Sequence, residues 1–493
     1  MGRWGWAIAL GVAALGGWLV ARPLAVRWSS GGALPPAAGP ALTAEADEVL
    51  PPLPQDPQVQ VWFNQARSGR YGDRYRRIER PGDDLEAVML AAIAQAKTSI
   101  DVAVQELRLP AIAAALIERQ RAGVRVRVIL ENDYARPWSS YGDGELAALP
   151  ERDRGRIEDY RRLGDADGDG QVSAAEVRSR DTLVMLTEAG IPWLDDRADG
   201  SKGSGLMHHK FILVDGRLTL VTSANFTTSD IHGDLGRPDS RGNPNSLVQI
   251  ESGAIAASFR QEFDLMWGDG PGGQPDSRFG LQKPPRPTQT FPVGQGTIAV
   301  KFSPTSPKRP WESSTNGAIA ATLAQAQRSV DLALFVFSEQ RLADVLGDRA
   351  AAGVQVRALI DRSFVHRDYS EGLDLLGTAR PNRNCQLEPG NRPWASPAAA
   401  VGVPTLPMGD LLHHKFGLMD DRTVIVGSHN WSAAADQQND ETLLIIENPT
   451  VAAHYRREFD RLLVNAQLGI SPQLQTLLDR DRDRCARNGS PSN

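Results

Sequence analysis

Residues Ala94–Leu130 read AQAKTSIDVAVQELRLPAIAAALIERQRAGVRVRVIL, and residues Ala324–Ile360 read AQAQRSVDLALFVFSEQRLADVLGDRAAAGVQVRALI. The second stretch repeats the first: Ser99 matches Ser329 and Gly123 matches Gly353, both 230 positions apart. Each copy has the end of a helix, an apolar run (Ile100–Val104; Val330–Phe337), an amphipathic helix, a glycine turn and a second β-branched run. That order is a β-α-β unit. Runs this apolar predict strands covered on both faces, in a mostly parallel sheet. Gly123 and Gly353 close the helix before the second strand. The chain therefore contains two α/β lobes that are repeats of one another.

Outward from these units the repeat continues with changing offset. LMHHKFILVD (Leu206–Asp215) matches LLHHKFGLMD (Leu411–Asp420), with His208 and His413 205 apart, so the first half holds 25 extra residues. FRQEFDLMW and YRREFDRLL place Phe263 against Phe459, 196 apart, which adds nine more after the histidine string. The expected layout is a first lobe over 58–267, a Pro- and Gly-rich linker over 268–296, a second lobe over 297–465 and a tail over 466–493. A chain of 493 residues, 41% hydrophobic and 23% charged, has enough apolar content for such cores and excludes a disordered or collagen-like polymer. Two cysteines, Cys385 and Cys485, exclude a disulfide scaffold; in an exported protein they could pair or stand as two unrelated cysteines, and spacing alone does not decide it. The net charge of −6 gives no overall attraction for a polyanion.

Near the N-terminus, Trp4–Ala21 is uncharged and apolar, with arginines on both sides. It reads as a signal peptide or membrane anchor within residues 1–28, with the uncleaved anchor favoured, ahead of a Pro-, Ala- and Gly-rich linker over 29–57. The expected location is membrane-anchored or exported.

Each half carries H-x-K, four residues, then Asp: His208, Lys210, Asp215 and His413, Lys415, Asp420. Eight residues after each Asp comes a serine, in TSAN (Ser223, Asn225) and GSHN (Ser428, Asn430). In a β-like run His and Lys two apart share a face. An imidazole beside an ammonium suits an anionic substrate, and the Ser and Asn donors would complete a cradle for phosphate oxygens. One such string is weak evidence. Two, at matched positions of a duplicated lobe where surface residues drift first, are strong evidence.

These duplicated strings resemble the phospholipase D superfamily, whose signature is HxKxxxxD followed by GSxN, and the likeness runs from about Val59 to Leu463. The resemblance implies two pseudo-twofold-related α/β/α lobes with mixed sheets around one shared active site. It also implies phosphodiester cleavage through a covalent phosphohistidine with no obligatory catalytic metal. One neutral imidazole attacks phosphorus while the other, protonated, donates to the leaving oxygen. Asp215 and Asp420 belong to the motif but fit a local structural or charge role better than attack. In this superfamily a carboxylate from the opposite half commonly orients each histidine. Glu441 lies where the second half would supply it, but the matched first-half residue is Asn245. On that asymmetry His208, paired with Glu441 and raised in basicity, is the expected nucleophile and His413 the general acid, with Glu251 or Asp239 as substitute partners for His413. Thr222 stands where the family has Gly.

Within the first half's extra residues, over about 152–190, Asp165, Asp167, Asp169, Gly170, Gln171, Ser173 and Glu176 match the D-x-D-x-D-G-x5-E pattern. The loop resembles an EF-hand. Three Asp, the Gln171 carbonyl, Ser173 and bidentate Glu176 would supply oxygens to Ca2+, which is expected to order the insertion or bridge to anionic lipid, not to take part in catalysis.

The expected function is hydrolysis of phospholipid at a membrane surface, releasing phosphatidic acid. The alternatives are an exported nuclease with the same site or phosphatidyl transfer as in cardiolipin synthesis; the loop residues Tyr134, Arg136, Trp138 and Tyr141 could stack bases or meet lipid and do not separate them. A catalytically silent, calcium-ordered binding module is disfavoured by two intact motifs. A duplicated site within one chain is compatible with a monomer.

Overall fold

The computed structural model describes residues 49–488. The apolar segment Trp4–Ala21 and most of the linker after it lie outside the described residues. Among the described residues no helix is long and apolar enough to cross a membrane.

The first lobe holds β1 (Val59–Phe63), a small hairpin of β2 (Arg70–Gly72) and β3 (Glu79–Pro81), then β4 (Ser99–Val104), β5 (Arg125–Leu130), β6 (Trp193–Asp195), β7 (Lys210–Val214), β8 (Leu218–Thr222) and β9 (Ser246–Glu251). The second holds β10 (Gln289–Val293), β11 (Gly296–Phe302), β12 (Ser329–Leu334), β13 (Phe337–Ser338), β14 (Gln355–Ile360), β15 (Ala400–Val403), β16 (Lys415–Met419), β17 (Thr423–Gly427), β18 (Trp431–Ser432), β19 (Thr442–Glu447) and β20 (Gln467–Leu468). The first sheet runs β1-β9-β8-β7-β4-β5-β6. The second repeats that order as β11-β19-β17-β16-β12-β14-β15, with β10 and β20 added at its edges.

The β-α-β units are present: β4 and β5 pair in parallel through the helix Pro110–Arg121, and β12 and β14 through Gln340–Ala351. The expectation of a mostly parallel sheet is corrected. Within the two large sheets only β4-β5-β6 and β12-β14-β15 are parallel, and the histidine strands β7 and β16 run antiparallel to β4 and β12. Apolar runs report burial on both faces, which these mixed sheets share with parallel ones.

That double burial has two sources. Ile100, Val102 and Val104 pack into one core with the helices outside the first sheet, and the second lobe has a matching outer core around Val330, Leu332 and Leu334. The inner faces share a single core. Phe211, Phe259 and Phe263 of the first lobe meet Phe302, Phe416, Tyr455 and Phe459 of the second within it. Phe259, on the helix Gly253–Trp267, sits edge-on to Phe302, with ring centroids 5.1 Å apart.

The stretch 268–296 is more than a tether. Gly280 N–H donates to Asp440 at 2.9 Å, fully buried Lys283 pairs with Asp440 at 2.7 Å and with Glu262, and β10 already belongs to the second sheet. Composition describes the backbone of this segment, not its side-chain partners. Cys385 and Cys485 form a disulfide, tying the helix Pro472–Asn488 to the loop between the helix Glu371–Leu375 and β15.

Candidate active site

The turn before each histidine strand is fixed by a carboxylate at the end of the neighbouring parallel strand. Glu131, just after β5, accepts the Met207 N–H at 2.5 Å, and Asp361, just after β14, accepts the Leu412 N–H at 2.7 Å. These two acids are themselves 230 apart, one position beyond the quoted repeat. The first lobe's turn is also bonded to the second lobe: His208 N–H donates to the Asp440 carbonyl at 2.9 Å. Each histidine is thus placed where the lobes meet.

His208 Nδ1 lies 2.6 Å from Glu441 Oε2, a bond between lobes. A carboxylate only accepts, so Nδ1 carries the proton and Nε2 keeps its lone pair. Glu441 is held in turn by Ser428 Oγ at 2.7 Å and Asn439 Nδ2 at 3.2 Å. At the matched place His413 Nδ1 donates to Asn245 Oδ1 at 3.0 Å. The Asn245 amide nitrogen donates to the carbonyls of Asp230 and Asn243, so its oxygen must be the atom facing the histidine. Neither Glu251 nor Asp239 substitutes for a carboxylate here. Glu251 pairs with Arg217 at the surface, and Asp239 is exposed. The nearby acid is Asp230, Oδ1 3.7 Å from His413 Nδ1.

The serines act differently from the expected phosphate donors. Ser223 Oγ gives its one proton to Asn245 Oδ1 at 2.7 Å and Ser428 gives its own to Glu441, so both hold the groups that hold the histidines. Asn225 and Asn430 leave their side-chain oxygens without a partner.

Lys210 and Lys415 are buried and each donates to the carbonyl of its own histidine, at 3.0 and 2.7 Å. Their other contacts break the symmetry: Lys210 reaches Gln105 Oε1 at 3.3 Å, whereas Lys415 lies over the Phe335 ring, 5.3 Å from its centroid. Burial pulls the Lys210 ammonium down to about 8, against the pull of Glu441 and Asp230. Burial, then the two lysines, push both catalytic imidazoles well below their ordinary value. For His208 these effects outweigh the basicity expected from Glu441, and the ring is neutral at neutral pH.

Asp215 and Asp420 stand apart from this centre, at the far ends of β7 and β16. Both take a left-handed backbone, with φ of 53°. Asp215 accepts the N–H groups of Lys97, Thr98 and Ser99, and Asp420 those of Gln327, Arg328 and Ser329. They staple the entry to β4 and β12 and have no contact with the reacting groups, so their place in a catalytic set is corrected.

The family described as "Cardiolipin synthase, PLD-like domain" matches residues 89–267 and 319–463, which takes in both lobes and both histidine motifs. This chain belongs to that PLD-like family. A mitochondrial cardiolipin hydrolase of Xenopus laevis is 30% identical over 184 residues, 37% of this chain and 78% of that protein. A phospholipase D of Rickettsia bellii is 29% identical over 137 residues, 28% of this chain and 58% of its own length. The crystal structure of phosphatidylserine synthase from Haemophilus influenzae aligns over 88% of this chain and 95% of its own, with a TM-score of 0.50 at 12% identity, and so shares the fold.

In this PLD-like chain the first-lobe insertion is a helix-loop-helix, with helices Glu151–Gly164 and Ala174–Arg180 around the acidic loop. Side-chain oxygens of Asp165, Asp167 and Asp169 lie within 4.8 Å of one another, and Gly170 makes the turn at φ 84°. Glu176 closes the loop by accepting from Ala166 N–H at 2.7 Å and Ser173 N–H at 2.8 Å. The loop aromatics are not a free stacking platform. Trp138 is buried against Gly164, where a Cβ would come within 2.5 Å of its ring, while Arg156 covers Tyr134 and Arg136 covers Tyr141.

Proposed function

We propose that this protein is a phospholipase D-type phosphodiesterase that hydrolyses phospholipid head-group esters through a phosphohistidine at His208. The observation that carries this reading is the buried Glu441–His208 contact facing a second half-site whose His413 is bonded to an amide. In the first step the His208 Nε2 lone pair attacks phosphorus. The bond to the leaving oxygen breaks, and that oxygen takes the Nε2 proton of His413, which the bound phosphate anion must help hold against the burial and the lysines that lower this imidazole. In the second, water gives a proton to His413 Nε2 as its oxygen attacks phosphorus, and the P–N bond electrons return to His208. Lys210 and Lys415 offset charge on the non-bridging oxygens.

Lipid is favoured over nucleic acid because the net charge of −6 offers no overall attraction for a polyanion. The names of the curated relatives agree with a lipid phosphodiester. The disulfide and the apolar segment Trp4–Ala21 favour an exported or membrane-anchored protein. One chain supplies both half-sites, which fits a monomer.

The acidic loop is proposed as a Ca2+ site. The donor set is hard oxygen throughout: Asp165, Asp167, Asp169, the Gln171 carbonyl, Ser173 and Glu176. Bound there, the ion would order the insertion.

The test compares the full chain with its His208→Ala variant on mixed phospholipid vesicles, and on single-stranded and duplex DNA, with calcium or chelator. Histidine-dependent phosphatidic acid is the expected product. Histidine-dependent DNA cleavage with intact lipid overturns the substrate assignment.

A further inference from the structure

The two half-sites obtain negative charge in different ways. In the first, the charge sits on Glu441 and is hydrogen-bonded to His208. In the second, Asn245 occupies the matched position and accepts the His413 Nδ1–H without bringing a charge. The carboxylate nearest that proton belongs to Asp230, 3.7 Å away on the short helix Thr228–Ile231.

At the position matched to Asp230 the repeat has Ala435; the buried acid of the second lobe's helix is Asp436, one position further on, and it faces away to accept the Asn316 N–H at 2.8 Å. Thr227 and Ser432 cap equivalent helices in the two lobes, and the residue three beyond each cap is Asp230 in one and Ala435 in the other. The second lobe makes the same turn with an apolar residue at that position, so the turn itself does not require an acid there. Asp230 is nonetheless 4% exposed and rigidly placed. Oδ1 accepts from Asn243 Nδ2 at 2.5 Å and Oδ2 from the Asn225 N–H at 2.7 Å. Its carbonyl accepts the same Asn245 amide that touches His413, at 2.9 Å. Burial raises the Asp230 carboxyl above its ordinary value, and the donors on both oxygens, with Lys415 and Lys210, pull against it toward the ionised form. The other charges bearing on this pair are Lys415 and Lys210, which oppose a proton on His413, together with His208 and His414. Glu441 and Asp361 add negative charge that acts on Lys415.

We propose that Asp230 is the positioning carboxylate of the second half-site, supplying the charge that lets His413 hold the proton it delivers to the leaving oxygen. The carboxylate has moved from the strand position occupied by Glu441 in one lobe to a helix position in the other. The amide between Asp230 and the ring keeps the Nδ1–H tautomer without forming a fixed ion pair. This rests on His413 being the general acid, but the decisive readout needs no substrate.

The experiment is a titration of the full chain labelled with 15N-histidine, followed by NMR, with His413 assigned by its loss in His413→Gln. In Asp230→Asn the His413 titration is expected to fall by about one pH unit or more, as removal of an opposite charge within ~4–6 Å implies. Asn245→Glu added to Asp230→Asn should restore it. With bis(p-nitrophenyl) phosphate as probe, the alkaline limb of kcat/KM should move down with the titration and return in the double variant. Asp230→Ser, which keeps an acceptor for the Asn225 N–H without a charge, should behave like Asp230→Asn and serves if that variant is unstable. Asp239→Asn, at an exposed site, is the control. An unchanged His413 titration in a folded Asp230 variant overturns the proposal. So does an activity loss that Asn245→Glu does not restore. Failure of the wild type to cleave lipid would overturn the substrate reading alone and leave the titration to decide this one.

Discussion

Glu441→Gln tests the active site with little change of shape. The substitution keeps the side chain's size but removes the charge that meets His208 Nδ1 at 2.6 Å and Ser428 Oγ at 2.7 Å. It also places an NH2 group against Asn439 Nδ2, which now donates to Oε1 at 3.2 Å. Turning the amide the other way would set that group against the histidine proton, so one donor is left facing a donor in either orientation. A hydrogen bond to a charged group contributes about 1.5–3 kcal/mol. When that contribution is greatest as positive charge develops on the imidazole, its loss lowers kcat by roughly ten- to 150-fold, at about 1.36 kcal/mol per factor of ten. The assay is single-turnover cleavage of a chromogenic phosphodiester, with the phosphoenzyme trapped by acid quench and the labelled histidine located by peptide mapping. The expected result is slower formation of phosphohistidine at position 208, with a thermal transition within a few degrees of wild type. Label on His413 in either protein, or a Glu441→Gln rate equal to wild type, refutes the assignment of His208 as nucleophile activated by Glu441.

Asp215→Asn should leave kcat unchanged at 25 °C and lower stability by about 1 kcal/mol, the usual loss for a capping carboxylate, as read by thermal melts. Burial opposes ionisation of Asp215, but the N–H groups of Ser99, Thr98 and Lys97 hold its carboxyl at about 2, below the ordinary value. Its contribution is therefore complete above the unfolded value, is lost as pH falls through about 2, and should vanish from the acid limb of the melt profile in the Asn variant. Calcium should raise the melting temperature, and isothermal calorimetry should show one site that Glu176→Gln weakens by tenfold or more, while the His208-dependent chemistry persists in chelator. Opening the Cys385–Cys485 bridge, which closes a separation of 100 residues, should cost up to about 4–5 kcal/mol and release the C-terminal helix first, as seen by hydrogen exchange.

The repeat made most of the architecture readable, because a β-α-β unit written twice constrains both copies at once. The same register identified Glu441 and Asn245 as opposed positions and gave the asymmetry of the two histidines before any geometry. Its limits are physical. Double burial of Ile100–Val104 does not distinguish a parallel from an antiparallel neighbour. The serines of TSAN and GSHN sit beside the site by sequence, but one hydroxyl proton can serve only one acceptor, and only the fold shows that Asn245 and Glu441 receive them. Asp230 was hidden because its one sequence signal is a contrast with Ala435, and such contrasts are common on surfaces. Lys283 was hidden in a Pro- and Gly-rich stretch whose composition describes the backbone and not the ion partners waiting for a buried ammonium.

The core shared by the helices Gly253–Trp267 and Pro449–Leu463 sets a schedule for biosynthesis. The first lobe is complete when Trp267 has been made, yet the aromatic residues that cover its inner face end at Phe459. At about 5–20 residues per second, the ribosome needs roughly 10–40 s to supply them. Throughout that interval the cover over Phe211, Phe259 and Phe263 is incomplete, with Phe302 arriving early and Tyr455 and Phe459 last, so the exposed apolar face is open to aggregation until synthesis of the second lobe ends.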